Sequence, residues 1–303
     1  MDVGVIGVGA MGRNHVRVYS ELKGADEVFV YDSNRDAAMG VALAHEATPC
    51  TTLDELLERV DAVSVCVPTP FHRAVGEQVL AAGVAMLMEK PLCATSAEAG
   101  ELAGMVGDGQ VAGVGHIERF NPIVGEIRRI IRDPVFVEMN RHNPASSRVS
   151  GSSVIEDLMI HDLDILLHVL LGDGYELAAA GNPDAASALF RYDGTAAFVS
   201  ASRKASKKIR RIYIEEDEFT LEGDFMNQEV FTYYKPDRYG SENERYVQEN
   251  IIEKVMVNKL EPLRVELATF LDCARKGTPF PVTMEQAVAN LVLCEKVRAA
   301  IGR

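Results

Sequence analysis

Residues 2–16 read DVGVIGVGAMGRNHV, and the spacing of their glycines decides the first half of the chain. Residues 2–6 are a short apolar, strand-like run. Glycines follow at 7, 9 and 12, and a helical pattern then continues through Tyr19. Twenty residues beyond Gly12, a second apolar run, EVFVY, is closed by Asp32. Each part has a physical task. Gly7 permits a tight strand-to-helix turn, Gly9 lets the backbone approach a pyrophosphate, and Gly12 lets the helix pack closely. Val8, Ala10 and Met11 complete the loop, whose helix N-terminus offers free N–H donors to phosphate. Strand, loop, helix, second strand and terminal acid in register form a dinucleotide-binding arrangement. Asp32 is the acceptor for the adenosine ribose hydroxyls, which favours NAD; Arg35 nearby leaves NADP open.

The alternation continues beyond this unit. Helical 34–45 precedes a short strand near Thr48. Strands are expected at 62–67, 84–88 and 111–115, with helices at 71–82 and 95–106 between them. Strands alternating with helices predict an α/β domain with a doubly wound parallel sheet over residues 1–118. Ligands of such sheets lie beyond the carboxyl ends of the strands. Pro68, Thr69 and His72, then Glu89 and Lys90, then the stretch from His116 to Pro122 fall at such ends. The first five join the cofactor-binding set. Lys90 is the notable residue, because an ammonium beside a chain-fixing proline points toward the nicotinamide side of the cleft.

Composition narrows the class. The chain has 303 residues, 47% of them hydrophobic and 25% charged, which is enough for two cores. A formal charge of −14 argues against nucleic acid as a partner. No apolar run reaches membrane-spanning length, and no basic leader precedes the first strand. Cys50, Cys66, Cys93, Cys273 and Cys294 are dispersed, without a C-x-x-C pair, which fits a reducing cytoplasm better than disulfides or zinc.

The second half centres on EDLMIHDLDILLH, residues 156–168. At helical spacing Asp157, His161, Asp164 and His168 form one stripe, while leucine, isoleucine and methionine cover most of the rest. Asp162 alone interrupts the apolar side. Such a stripe either satisfies itself as an Asp–His ladder or lines an internal site. Before it come a helix over 123–132 and the alternating strand VFVEMN. After it come strands at 175–180, 186–192, 195–203, 208–216, 218–223 and 228–234, with Asp193-Gly194 as a hairpin turn. Helices at 261–275 and 284–301 close the chain. This order predicts an α+β domain over 119–303 with an open, mainly antiparallel sheet. Arg203, Lys204, Lys207, Lys208, Arg210 and Arg211, with Arg141 and Arg148, are where partners for a diphosphate are sought. A solvated hairpin edge explains the same charges. Tyr233, Tyr234, Arg238 and Tyr239 are candidates to stack on a base, or ordinary strand residues.

With Gly7–Gly12, Asp32, Glu89-Lys90-Pro91 and Asp157-x-x-x-His161 in order, the chain resembles the glucose-fructose oxidoreductase, inositol dehydrogenase and MocA family along its whole length. The resemblance implies a catalytic set of Lys90, Asp157 and His161 around the reacting carbinol. It also implies a cis bond before Pro91, a sheet face that forms a homodimer or homotetramer, and a last helix that returns to the nucleotide domain. GVGAMGRNHVRVYSE and VGHIERFNP are similar to members that oxidise a nucleotide-activated amino sugar, the UDP-N-acetylglucosamine 3-dehydrogenases. Arg119 and Asn121 join Lys90, Asp157 and His161 as substrate-binding candidates on that basis. Inositol or free-sugar oxidation fits the same core chemistry, with no metal required. Two rivals remain: a non-catalytic dinucleotide sensor, and a metal-dependent hydrolase or lyase using Asp157, His161 and Asp164.

Overall fold

The computed structural model describes residues 1–144, 153–235, 239–242, 245–248 and 251–302. Arg148 and Arg238 lie outside these residues, as does the side chain of Tyr239. The chain divides into two compact units, Met1–Phe120 with Glu261–Val292, and Asn121–Leu260 with Leu293–Arg303.

In the first unit β1 (Val3–Ile6), β2 (Val28–Tyr31), β3 (Thr48–Pro49), β4 (Ala62–Val65), β5 (Ala85–Glu89) and β6 (Ala112–Gly115) alternate with helices. These are α1 (Ala10–Glu21), α2 (Arg35–His45), α3 (Leu53–Leu57), α4 (His72–Ala81) and α5 (Ser96–Ala103). Among the described residues the strands form one parallel sheet in the order β3-β2-β1-β4-β5-β6. β1 and β4 are buried along their whole length, as befits central strands covered on both faces. The order reverses between β1 and β4, so the ligand crevice lies at their carboxyl ends. Helix starts follow local chemistry: the side chains of Asn34, Thr52 and Thr95 each accept an N–H from the first turn of α2, α3 and α5.

Two glycines lock α1 onto the sheet. Gly7 has φ +86°, and a Cβ there would stand 2.8 Å from the Val67 nitrogen; one on Gly12 would stand 1.9 Å from the Gly7 oxygen. Beyond this turn Val16, Val18 and Tyr19 are fully buried, each stabilising the unit by about 1.5–3 kcal/mol. The Tyr19 hydroxyl meets Ser64 Oγ of β4 at 2.7 Å, so its burial leaves no orphaned group.

The second unit contains α6 (Pro122–Ile130), β7 (Phe136–His142) and α7 (Ile160–Ile165), which is flanked by π turns at Ile155–Met159 and Leu166–Leu170. Then follow β8 (Glu176–Asn182), β9 (Ala185–Arg191), β10 (Ala196–Ser202), β11 (Ile209–Glu215), β12 (Phe219–Asp224) and β13 (Glu229–Tyr234). The strands β14 (Tyr239–Glu242) and β15 (Arg245–Gln248) pair with each other, and β16 (Ile251–Lys254) adds to β13. The larger sheet runs β16-β13-β12-β11-β7-β10-β9-β8 among the described residues, antiparallel except for β7 beside β10. The sequence reading anticipated β8 to β13 within two residues at either end but proposed no strands after Tyr234.

The chain ends in α8 (Pro262–Lys276) and α9 (Met284–Ile301). Leu263, Leu267, Phe270, Leu271, Phe280 and Met284 belong to the core of the first unit. Phe280 packs against Gly113 of β6, where a Cβ would stand 2.2 Å from the ring's Cδ1. The first unit therefore includes 261–292, a longer return than the last helix alone. Leu293, Cys294 and Val297 of α9 belong to the second core.

Asp162, the residue that interrupted the apolar side of the helical projection, is buried against Arg141. The guanidinium of Arg141, 1% exposed, donates from Nε to both Asp162 oxygens at 3.1 Å and from Nη2 to Oδ1 at 2.7 Å. Strand alternation explains the placement: Val137, Met139 and Arg141 are the inward positions of β7. Arg141 is thereby spent on the fold rather than on a diphosphate. Removing one partner from such a pair strands a buried charge. Asp162→Ala or Arg141→Ala is expected to cost about 3–5 kcal/mol in denaturant unfolding, and an apolar double replacement to recover much of it. Losses below about 1 kcal/mol in both single variants would contradict this account.

Candidate active site

The glycine loop and Asp32 are held as one structure. Asp32 Oδ2 accepts the Val8 N–H at 2.8 Å, and Oδ1 accepts the Asn34 N–H at 2.8 Å. The carboxylate thus braces the loop and caps its own turn, leaving its outer edge half-exposed beside Arg35 at the start of α2. Gly9 is different from Gly7 and Gly12. A Cβ there would meet nothing within 4 Å, so the protein's own packing does not demand glycine. It caps α1 without a side-chain bond, with Ala10 and Met11 exposed beside it. An open glycine at a helix N-terminus, aligned by two crowded ones, fits a dinucleotide pyrophosphate.

At the end of β4, Pro68 is exposed and Thr69 is half-buried. His72, a cofactor candidate by sequence, is 1% exposed. Its Nε2 faces the Val67 carbonyl at 2.8 Å, and Nδ1 faces Pro91 O at 2.9 Å and Leu92 O at 3.2 Å. Burial pulls its pKa below the ordinary imidazole value, against the opposing carbonyls. The ring is therefore a strut between the turn after β4 and the segment after Lys90. The Lys90–Pro91 bond is cis, and Lys90 is half-buried at the end of β5. Glu89 turns inward: its Oε1 lies 2.9 Å from His15 Nε2, and its Oε2 accepts the Lys90 N–H at 3.2 Å. Arg119, half-buried, donates to Gln286 Oε1 at 3.2 Å.

In the second unit, Asn121 is 3% exposed and structurally committed. Its Oδ1 caps α6 through the Ile123 N–H, and its Nδ2 donates to the Phe225 carbonyl at 3.0 Å. Asp157 and His161 are half-exposed, one on the first π turn and the other on α7, whereas Asp164 is buried and His168 is half-exposed. In the first π turn the Ile160 N–H reaches back to the Ile155 carbonyl, and in the second the Leu171 N–H reaches Leu166 O at 2.9 Å. Local π turns of this kind re-aim side chains and recur at functional sites. Among the described residues no group of three or more His, Cys, Asp or Glu is placed to hold a metal ion, and no helix is long and apolar enough to cross a membrane.

Comparison with known proteins agrees with this geometry. Residues 1–116 match the model of the GFO_IDH_MocA oxidoreductase family, described as having an NAD-binding Rossmann fold. Over 244 residues the chain is 35% identical to the UDP-N-acetylglucosamine 3-dehydrogenase of Acidithiobacillus ferrooxidans, covering 78% of this chain and 77% of that one. The chain belongs to the Gfo/Idh/MocA family. A solved structure of the same A. ferrooxidans enzyme superposes with a TM-score of 0.89 at 32% identity, over 99% of this chain and 97% of that one. An inositol 2-dehydrogenase/D-chiro-inositol 3-dehydrogenase of Shouchella clausii is 33% identical over 57% of this chain and 54% of its own. As a Gfo/Idh/MocA member the chain is an NAD(P)-dependent dehydrogenase of CH–OH groups, with an NAD-binding Rossmann fold.

The loop geometry separates folding from cofactor binding. Gly9→Val is expected to lower NADH affinity at least about tenfold, by a direct clash with the pyrophosphate, while the circular dichroism spectrum and melting temperature stay near wild type. Gly12→Ala, with no room for its methyl, is expected to lose the fold. Undiminished NADH binding by Gly9→Val in a calorimetric titration would overturn the assignment of this loop.

Proposed function

We propose that the protein oxidises a secondary alcohol of a nucleotide sugar, with the 3-hydroxyl of UDP-N-acetylglucosamine as its substrate. The observation that carries this reading is the reach of one match. The A. ferrooxidans enzyme agrees in sequence over more than three quarters of both chains and in fold over nearly all of both, whereas the S. clausii enzyme matches in sequence over little more than half. Oxidation of inositol or a free sugar is the second reading, favoured by those shorter matches.

The Gly7–Gly12 loop and Asp32 would hold NAD, with Pro68 and Thr69 at the neighbouring strand end. When bound, NAD supplies the acceptor for the hydride that leaves the carbinol carbon. The alcohol proton must leave as well, and Lys90, Asp157 and His161 are the residues assigned to it. His161 takes the proton, since imidazole is the side-chain base that titrates nearest neutrality. Asp157, four residues earlier, orients the ring and stabilises the imidazolium. Lys90 donates to the carbinol oxygen and stabilises its developing negative charge. Lys90 as the base, with His161 as the donor, is the other arrangement of the same parts. Incubation with NAD and a panel of UDP-N-acetylglucosamine, N-acetylglucosamine and myo-inositol, followed by absorbance of the reduced nicotinamide, tests the substrate. His161→Ala and Lys90→Ala are each expected to lower turnover by at least about 10²-fold while NADH binding survives. Near-normal turnover in either variant would remove that residue from the mechanism, and equal rates with NADP would remove Asp32 as the discriminator.

For the assembly we propose a homodimer or homotetramer built on the outward face of the second sheet. Phe198 and Leu189 are cross-strand partners there, with Leu189 48% exposed. Phe198→Glu and Leu189→Glu are expected to reduce the mass seen by light scattering to that of a monomer, with the fold retained. An unchanged mass in both would exclude this face. The five free cysteines support a cytoplasmic setting.

A further inference from the structure

Behind Lys90 the first unit buries titratable groups to which the proposed reaction assigns no task. Glu89 at the end of β5 has a side chain only 10% exposed, and His15 on α1 is wholly buried beside it. Gly115, the register partner of Glu89 on β6, makes room for the carboxylate, since a Cβ there would stand 3.2 Å from Oε1. Glu266 of α8 is wholly buried too, and among the described residues neither of its oxygens has a hydrogen-bond partner; the same holds for His15 Nδ1. Other titratable neighbours are Lys90, the buried His72, Cys66 beyond β4, and Tyr19, whose hydroxyl is engaged by Ser64.

An ionised carboxylate without a partner in such an interior is very costly, and two carboxylates in one buried site repel each other. The two glutamates are not equivalent. Burial works against ionisation of Glu89, but the hydrogen bond and charge of His15, the Lys90 charge and the Lys90 N–H outweigh it and hold the carboxyl below its ordinary range. Nothing compensates Glu266: burial, then the Glu89 charge, push its carboxyl well above that range.

We propose that Glu89 and Glu266 share a single negative charge, carried by Glu89 and clamped by His15 while Glu266 keeps its proton, and that this charge positions Lys90 and holds its ammonium protonated. Glu89 is then a positioning residue that reaches the substrate only through Lys90. The inference rests on the reading of Lys90 as a reacting residue; the state of Glu266 does not.

Glu266 gives a test that needs no substrate. A carboxyl that keeps its proton in the fold but releases it near pH ~4.3 when unfolded makes the fold less stable as pH rises above that value. Glu266→Gln removes this penalty. Its melting temperature is expected to match wild type near pH 4 and to exceed it by a margin that widens through pH 7. A difference that does not change with pH, or a variant less stable than wild type at pH 7, overturns the shared charge.

Glu89→Gln tests the effect on Lys90. The amide oxygen can still accept the Lys90 N–H, but the anion is gone, so Lys90 should lose its proton at a pH lower by about one unit. Lysine ¹³C-methyl NMR, with the Lys90 signal assigned by Lys90→Arg, reads that titration without any substrate. In the pH profile of kcat/KM the limb governed by Lys90 should move the same way, whether Lys90 acts as donor or as base. A fall in kcat with both the NMR titration and the profile unmoved would mean that Glu89 is merely structural, and would overturn the positioning role. If no sugar is oxidised, the proposed substrate fails while the melting and NMR arms still decide the charge arrangement.

Discussion

The close approach of Gly12 to the Gly7 carbonyl is the constraint on which the first unit turns. With only 1.9 Å available to a Cβ, α1 must begin directly on the end of β1. Its free N–H groups then open at the crevice where the strand order reverses, and Asp32 fixes the loop from the other side through the Val8 N–H. The same contact sets the rotation of α1. His15, three residues along and on the buried face, is brought to Glu89 at the end of β5. One backbone approach thus aligns the cofactor loop and braces the strand end that carries Lys90.

Most of the fold was legible because it depends on periodicity. Alternating apolar runs and helices located the parallel sheet, and period-two patterns located β8 to β13. The glycine loop was legible for a stricter reason, since each glycine answers a separate steric demand at fixed spacing. What escaped depends on partners distant in sequence. His15 and Glu89 are 74 positions apart, and nothing local to either announces the other. Glu266 sits in PLRVELATFLDC, where a glutamate between apolar residues reads as a helix surface. Only the docking of α8 in the first core, against expectation, makes it internal. Asn121, expected among the substrate-binding residues from the resemblance of its stretch, also has the position of a helix cap before Pro122, and its Oδ1 serves as one. The two π turns leave composition and apolar density unchanged, so a uniform helical projection could not show them. Arg141 was the avoidable miss. The alternation that placed Val137 and Met139 inside places Arg141 inside as well, and Asp162 was the lone acid on an apolar surface waiting for it.

The chain therefore keeps charge inside itself in two physically distinct ways. Arg141 and Asp162 meet in a forked, fully hydrogen-bonded pair, so the second unit buries both ions with no net charge. Such a pair holds β7 against the helix above it. The Glu89 site differs: Glu89 is bonded to the His15 imidazole and to the Lys90 N–H, whereas buried Glu266 has no hydrogen-bond partner among the described residues. The charge that survives there is bonded to the backbone of Lys90, whose side chain lies half-exposed at the strand end. An anion held in a low-dielectric interior and joined to a residue at the crevice acts on that residue with little screening from water. Stability alone would favour an apolar residue at position 266, as it would for any buried acid without a partner. The arrangement at Glu89 makes sense as electrostatics directed at Lys90, whereas the arrangement at Asp162 makes sense as structure.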